Sequence, residues 1–342
     1  MVDRPQERPG QGGAAGLQSR TRGPERDAGL APPDVPNTGA HLRQSFYAEH
    51  FGFHDHPFTL MPDPSMILWS RAYRRAFSVL EYGVISGSPI TLLTGGIGCG
   101  KTTLLRELLT RLDETVTVAL VSNAQGGRGE LLQWVLNALG LGFDPAAGYV
   151  ALFQTLRDFL VAEYAAGRRT LLIFDEAQNL SIESLEELRM LTNVNYGKDV
   201  VVQLVLTGQP ELRDLVRSPR LEQLAQRIAV SYDLTPLDAP TTADFIRHRL
   251  TAAGGTGAEF DEGALAMIHR VSKGVPRLIN QFCDISLLYA WTADQRQVGE
   301  TLLAQVLEDN IFFAAQGLKE AAKELGASPD ASDTSPSERN PA

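Results

Sequence analysis

An α/β fold, with one parallel five-stranded sheet sandwiched by helices and a small all-helical domain after it, is predicted by three observations. Between residues 44 and 237, short β-branched or apolar runs alternate with helical patterns, the signature of a parallel sheet with helical crossovers. A Gly-rich turn separates the first strand from the first long helix. From Thr241 to about Ala315 amphipathic helical patterns continue with no convincing strand, and Pro236 and Pro240 mark the change.

The elements follow in order. Residues 1–43 are rich in Gly, Pro, Arg and Gln with almost no aromatics, so burial cannot offset the entropy of ordering them and a disordered arm is expected. The first strand is Ile90 to Thr94, followed by a helix from about Gly100 to Leu112 and a second strand, Val116 to Val121. Helical stretches at Gly129 to Leu139 and Tyr149 to Ala166 precede the third strand, Thr170 to Phe174. Leu185, Leu188 and Leu191 carry helical spacing within Ser181 to Val194, ahead of a fourth strand at Val200 to Leu206 and a fifth at Ala229 to Leu234. The helical domain is expected over 238–316 and a polar, disordered tail over 317–342. No internal repeat is present at a fixed period.

Composition narrows the function classes. A length of 342 residues suits about two domains, and 43% hydrophobic with 21% charged residues is ordinary for a soluble globular protein. Cys99 and Cys283 are far apart and show neither CxxC nor zinc-ligand spacing, which argues against a disulfide framework and for a reducing, cytoplasmic setting. An apolar run of membrane-spanning length and a signal peptide are both missing from the sequence, so direct membrane insertion is not expected. The net charge of -10 weighs against a large nucleic-acid footprint, though a local basic patch stays open.

The chemistry is concentrated at two strand ends. Gly95, Gly96, Ile97, Gly98, Cys99, Gly100, Lys101 and Thr102 fit G-x-x-x-x-G-K-[ST] between an apolar strand and a helix, the context that confirms a phosphate-binding loop. Glycines let successive N–H groups turn toward phosphate oxygens, and the following helix adds its positive dipole end. Lys101 is expected to neutralise β/γ-phosphate charge, Thr102 to offer its hydroxyl to Mg²⁺, and Thr103 to continue the cofactor-binding run. Cys99 holds an unrestricted loop position: a tolerated small residue, or a redox switch if its thiol were exposed.

Leu171 to Phe174 form an apolar strand ending in Asp175 and Glu176, as a buried parallel strand delivering charge to its C-terminal edge should look. Asp175 is expected to hold the metal and Glu176 to orient and polarise the attacking water. Taken alone, the pair could merely stabilise a helix N-terminus by about 0.3–1 kcal/mol. The phosphate loop upstream favours catalysis, with ATP and Mg²⁺ as cofactors. His50, His54, Asp55 and His56 offer metal-ligand chemistry, but no outer ligands match them in the sequence.

These residues resemble an AAA+ ATPase and, more specifically, the ExeA/GspA (general secretion pathway protein A-like) family. Tyr47 to Phe53, Pro57-Phe58 and Pro62-Asp63-Pro64 are similar to that family's Y-x-x-x-F-G-[FL], P-F and P-D-P opening. Leu80 to Gly83, Asp175 to Leu180, Gly208 to Leu212, Gln226 to Ile228 and Gly274 to Asn280 follow in the family's order, covering about Ser45 to Leu288. The resemblance implies a helical lid over the nucleotide, with Thr207 and Gln209 as the sensor of the γ-phosphate and Arg277 as a second sensor. It also implies that Arg227 is an arginine finger reaching a neighbouring subunit, hence a homo-oligomer. Read without the resemblance, Arg227 suits a surface ion pair better than a finger, and Arg277 is open to the same reading. Gln178 is expected to contact a partner or substrate segment, and Tyr47 to Pro64 to wrap the adenine, because aromatic and proline residues make flat walls.

Longer family members continue into a membrane segment and a peptidoglycan-binding region, whereas here a polar tail follows soon after Phe313. An envelope role would then act through a membrane-complex partner. The implied function is ATP-driven assembly or remodelling of a protein complex, secretion-associated. Two alternatives stay open: a DNA-associated transposition helper of the MuB/TniB type, which needs a basic face, and a nucleotide switch with negligible hydrolysis, which the intact Glu176 opposes.

Overall fold

The computed structural model describes residues 46–122, 130–196 and 199–309. The expected arm at 1–43, the tail at 317–342 and the last stretch of the helical domain at 310–316 lie outside them.

A short helix α1 (Ala48–Phe51) leads to α2 (Arg71–Ile85), which Ser70 caps by accepting the Tyr73 N–H at 3.3 Å. Then come β1 (Ile90–Gly95), α3 (Lys101–Arg111), β2 (Val116–Ser122), α4 (Glu130–Ala138), α5 (Tyr149–Ala165) and β3 (Arg169–Asp175). They are followed by α6 (Ile182–Leu191), β4 (Val202–Gly208), α7 (Pro210–Val216), α8 (Glu222–Ala225) and β5 (Ile228–Leu234). Four helices complete the described chain: α9 (Ala239–Ala252), α10 (Glu262–Ser272), α11 (Pro276–Thr292) and α12 (Glu300–Glu308). Asp238 and Asp261 cap α9 and α10, accepting from Thr241 N at 2.9 Å and Ala264 N at 2.7 Å.

One strand boundary differs from the sequence expectation. Val200 pairs with Asn195 in a two-residue antiparallel ribbon, and the sheet strand starts at Val202, opposite Thr170. The β-branched run Val200-Val201-Val202 suits either pairing, so local propensity could not divide it.

The five sheet strands are all parallel, in the order β2-β3-β4-β1-β5. β1 and β4 are buried along their whole length, whereas the edge strands β2 and β5 carry exposed positions. Side-chain alternation divides the core in two. Leu93, Leu171, Ile173 and Val205 pack with α2 and α3, while Leu92, Leu172, Phe174 and Leu204 pack with α4, α5 and α6. Each fully buried Leu or Phe contributes roughly 1.5–3 kcal/mol of transfer free energy.

The C-terminal helices share the first of these cores. Phe245, Ile246, Ile279 and Phe282 belong to the same apolar cluster as Leu93 and Leu104, and so do Tyr47, Phe53 and Phe58. The N-terminal segment therefore fastens the helical cap to the sheet. Its histidines are engaged in that fastening: His50 Nε2 lies 2.9 Å from Gln295 O, and His56 Nε2 lies 3.2 Å from Asp284 Oδ1. Asp284 also accepts from the Tyr47 hydroxyl, and burial holds its carboxyl above the usual range. Among the described residues no helix is long and apolar enough to cross a membrane.

Parallel register brings the chemistry to one edge. Thr94 pairs with Gly208, Gly95 with Leu234, and Ser122 with Asp175. β1 sits between β4 and β5 while its successor β2 lies at the far edge. Connections from β1 therefore diverge and open a crevice at its C-terminal end, where open α/β sheets bind ligands.

Candidate functional site

Gly95 to Gly100 turn from β1 into α3, whose N-cap is Gly100 in the left-handed region at φ 97° with no side-chain cap. The first N–H groups of an 11-residue helix thus face the crevice without a capping side chain, an arrangement that suits an anion. Gly98, also left-handed at φ 75°, is in contact with the cap: a Cβ there would meet Arg277 Cβ at 2.7 Å. Arg277 N donates to Gly98 O at 3.2 Å, so the start of α11 rests on the loop.

Lys101 is 5% exposed, and its Nζ donates to Gly95 O at 2.7 Å and Gly96 O at 3.1 Å. An ammonium has three donors, and two of them hold the charge at the mouth of the loop. Tyr73 supports the loop from below by donating to Cys99 O, and burial holds its phenol well above the ordinary range. Cys99 is 1% exposed, and burial pushes its thiol up too, which opposes a thiolate redox switch.

Asp175, at the tip of β3, is the hub. It accepts from Thr102 Oγ1 at 3.1 Å, Thr207 Oγ1 at 2.5 Å and the Glu176 N–H at 3.0 Å. Two adjacent hard oxygens, Thr102 Oγ1 and Asp175 Oδ2, beside a phosphate loop fit Mg²⁺, which keeps waters and substrate oxygens for its other ligands. Thr207 is fully buried, so it reaches the site through Asp175.

Glu176 adopts φ 56° and ψ 38°, left-handed for a residue with a Cβ, at a cost on the order of 1–3 kcal/mol. Its Oε2 accepts from Gln178 Nε2 at 2.6 Å and from Gln209 Nε2 at 3.4 Å, while Gln178 Oε1 accepts the Gln209 N–H at 3.0 Å. Gln178, expected from sequence to face a partner, joins Glu176 to the end of β4. No periodic signal could have found that link, because it depends on the corner at Gly208.

One cavity gathers Lys101, Thr102, Thr103, Glu176 and Arg277. Its wall from the N-terminal segment is Thr59 to Asp63, together with Met66, Ile67 and Leu68. Tyr47, Phe53 and Phe58, read from sequence as part of an adenine wall, lie in the apolar core instead. Rings of that size gain more by full burial than at a cavity rim. Phe245, Arg249 and Asn280 of the helical cap also line it.

Arg227 is outside this cavity. It precedes β5 at the sheet edge where Ile228 meets Ile90, whereas Gly95 meets Leu234 at the other. The separation is roughly 20 Å at ~3.3 Å per residue. Its Nη1 donates to Thr192 O at 3.2 Å and Thr192 Oγ1 at 3.3 Å, and its Nη2 to Asn193 Oδ1.

A family model described as an AAA domain matches residues 85–216. The chain is 39% identical over 252 residues to general secretion pathway protein A of Aeromonas hydrophila, spanning 74% of this chain and 46% of that protein. It is 27% identical over 215 residues to the Mu-like prophage FluMu DNA transposition protein B of Haemophilus influenzae, spanning 61% of this chain and 68% of that one. Among solved structures, the ORC2 protein of Aeropyrum pernix in its ADPNP–ADP complexes has the same fold, with a TM-score of 0.53 at 18% identity over 70% of this chain and 68% of that one. Residues 85–216 thus match an AAA domain within a P-loop α/β fold, and the chain, similar over 74% of its length to general secretion pathway protein A, spans just under half of that relative.

Proposed function

We propose that this chain binds and hydrolyses Mg-ATP within a homo-oligomer and uses the cycle to assemble or remodel a protein complex, secretion-associated as in the relative from Aeromonas hydrophila. The observation that carries the proposal is Asp175: one carboxylate joins the phosphate-loop Thr102 to the strand-tip Thr207 and stands next to Glu176.

Bound between Thr102 and Asp175, Mg²⁺ would supply neutralisation of β/γ-phosphate charge. The rest is done by the chain. N–H groups of Gly98 to Thr102 cradle the phosphates and Lys101 shifts from the loop carbonyls to the β/γ oxygens. Glu176, held by Gln178 and Gln209, accepts a proton from the attacking water as the γ-phosphoryl leaves. Arg277, resting on the loop, follows the state of the phosphates and transmits it to the cap. Arg227, too far from its own site, completes a neighbour's.

A DNA-associated role is the second reading, favoured by the similarity to a transposition protein and by Arg71, Arg74 and Arg75 exposed on α2. Phosphate release by wild type, Lys101→Ala and Glu176→Gln tests hydrolysis, and no ATP-dependent release by wild type would overturn it. Salt-dependent duplex binding, lost in a triple Ala variant at Arg71, Arg74 and Arg75, would favour the second reading.

A further inference from the structure

A shallow pocket at the sheet edge opposite the phosphate loop is lined by Pro89, Arg189, Gln223, Gln226, Arg227 and Ala229. Arg189 enters it from the last turn of α6 and Arg227 from the chain just before β5. The described residues that line it bring two guanidinium groups, two exposed amides and no carboxylate. Positive charge is thus gathered at one spot on a chain whose net charge is -10.

Both guanidinium groups are only partly engaged. Arg189, whose side chain is 20% exposed, donates through Nε to Glu186 Oε2 at 2.8 Å. Among the described residues its two Nη groups meet no acceptor. Arg227 donates to Thr192 O, Thr192 Oγ1 and Asn193 Oδ1, all neutral, so among the described residues its charge has no carboxylate partner. A guanidinium is a planar fork of five N–H donors that matches carboxylate or phosphate oxygens. Two forks in one pocket, one without a countercharge and the other with its Nη end open, suit an anion that presents several oxygens together. A terminal phosphoryl group, with charge spread over three oxygens, is such an anion. A nucleic-acid duplex would need cations in a row along the surface rather than two in one pocket.

We propose that Arg189 is a second cation delivered with Arg227 to the γ-phosphoryl group bound in a neighbouring copy of this chain, so that two guanidinium groups complete each site in trans. This rests on the reading of Arg227 as the residue that completes a neighbour's site. Arg227 takes up charge that develops as the phosphoryl leaves, and Arg189 binds a second of its oxygens through the open Nη groups.

Steady-state ATP hydrolysis by Arg189→Ala, Arg189→Gln and Glu186→Gln, each alone and mixed with Glu176→Gln subunits, tests it. Arg189→Ala should bind ATP with wild-type affinity by calorimetry and turn it over about 10- to 100-fold more slowly, the loss expected for one charge-assisted contact. Arg189→Gln keeps a donor for Glu186 but not the charge, and should be about as slow. Glu186→Gln keeps an acceptor for the Arg189 Nε–H and removes only the ion pair, so its turnover should stay within about twofold of wild type. Mixing Arg189→Ala with Glu176→Gln subunits should restore some activity, because a site that retains Glu176 can then obtain Arg189 from its neighbour.

Wild-type turnover by Arg189→Ala would overturn the inference. So would an equal loss in Glu186→Gln, which would make the pair a brace within α6, or a loss in Arg189→Ala that mixing does not relieve while Arg227→Ala is relieved by the same partner. If thermal unfolding shows that Arg189→Ala does not fold, Arg189→Gln decides by the same turnover and mixing results. Weakened duplex binding in Arg189→Ala with turnover intact would assign the pocket to nucleic acid and also overturn it. If mixing relieves neither Arg189→Ala nor Arg227→Ala, it is the trans reading of Arg227 that fails, and this inference falls with it.

Discussion

Gln178 donates to Glu176 Oε2 at 2.6 Å with one end of its amide and accepts the Gln209 N–H at 3.0 Å with the other. The carboxylate assigned to water activation is thus tied to the end of β4, and a Cβ at Gly208 would come within 2.7 Å of that same amide oxygen. Gln178→Ala should leave ATP affinity unchanged and lower kcat about 10- to 100-fold, since only the orientation of Glu176 is lost. Gln178→Glu, which places like charges side by side, should be worse than Ala. Steady-state kinetics separate this from a structural role: a rise in KM with kcat intact would count against it.

Lys101→Ala removes the ammonium at the loop mouth and should cost about a hundredfold or more in ATP affinity by calorimetry, because a point charge over the β/γ-phosphates is lost. Unchanged affinity would refute the placement of the phosphates.

Much of the fold was legible in local pattern. Each expected sheet strand overlaps an observed one, because apolar runs bounded by Gly, Pro and charged residues leave little choice of period. The phosphate loop and the pair at 175 and 176 were legible because each motif sits where its flanking elements require. What the sequence hid depends on contacts between distant segments. Arg249 reaches Pro57, Asn280 reaches Thr59 and Gln178 reaches Gln209, and none of these pairs shares a period or a motif. The aromatic segment from Tyr47 to Phe58 misled for a related reason: composition shows that a ring will be buried, not which side of the wall it will occupy.

The left-handed backbone at Glu176 carries a second consequence. Asn tolerates φ near 56° better than Glu does, through local hydrogen bonding of its short side chain. Glu176→Asn should therefore abolish turnover yet leave the chain as stable or slightly more stable, by up to about 1 kcal/mol in urea unfolding. Glu176→Gln, which keeps the length but not the basicity, should bind ATP normally with turnover at least about a hundredfold lower. Loss of binding with turnover per bound ATP intact would mean that the two carboxylates have exchanged roles.

Gly98 and Gly96 provide a matched pair. A Cβ at Gly98 requires an L residue at φ 75° and would meet Arg277 Cβ at 2.7 Å, whereas at Gly96 it would meet only Cys99 Sγ at 3.4 Å. Gly98→Ala should destabilise the chain by more than about 1 kcal/mol and loosen α11 from the loop, and Gly96→Ala should be far milder in stability. Thermal unfolding of both variants checks the contrast, and equal losses would remove Gly98 as the contact between loop and cap.

Arg227 gives the most exposed prediction, because its proposed role needs a second subunit. It stands at the opposite edge of the sheet from Gly95, hydrogen-bonded to Thr192 and Asn193, and cannot reach its own phosphate loop. If it completes a neighbour's site, Arg227→Ala should bind ATP normally but hydrolyse it about 10³-fold or more slowly at every protein concentration. Gel filtration with ATP should first show assembly of the wild type. Mixing then separates a finger from a local brace. Glu176→Gln subunits retain Arg227, and Arg227→Ala subunits retain Glu176, so mixed interfaces hold one intact set of both groups and some activity should return. A brace between β5 and the loop after α6 would give no such complementation, since each chain would need its own arginine. Wild-type turnover by Arg227→Ala, or full activity from a wild-type monomer, would remove the finger assignment and leave the Thr192 and Asn193 contacts as the residue's whole role.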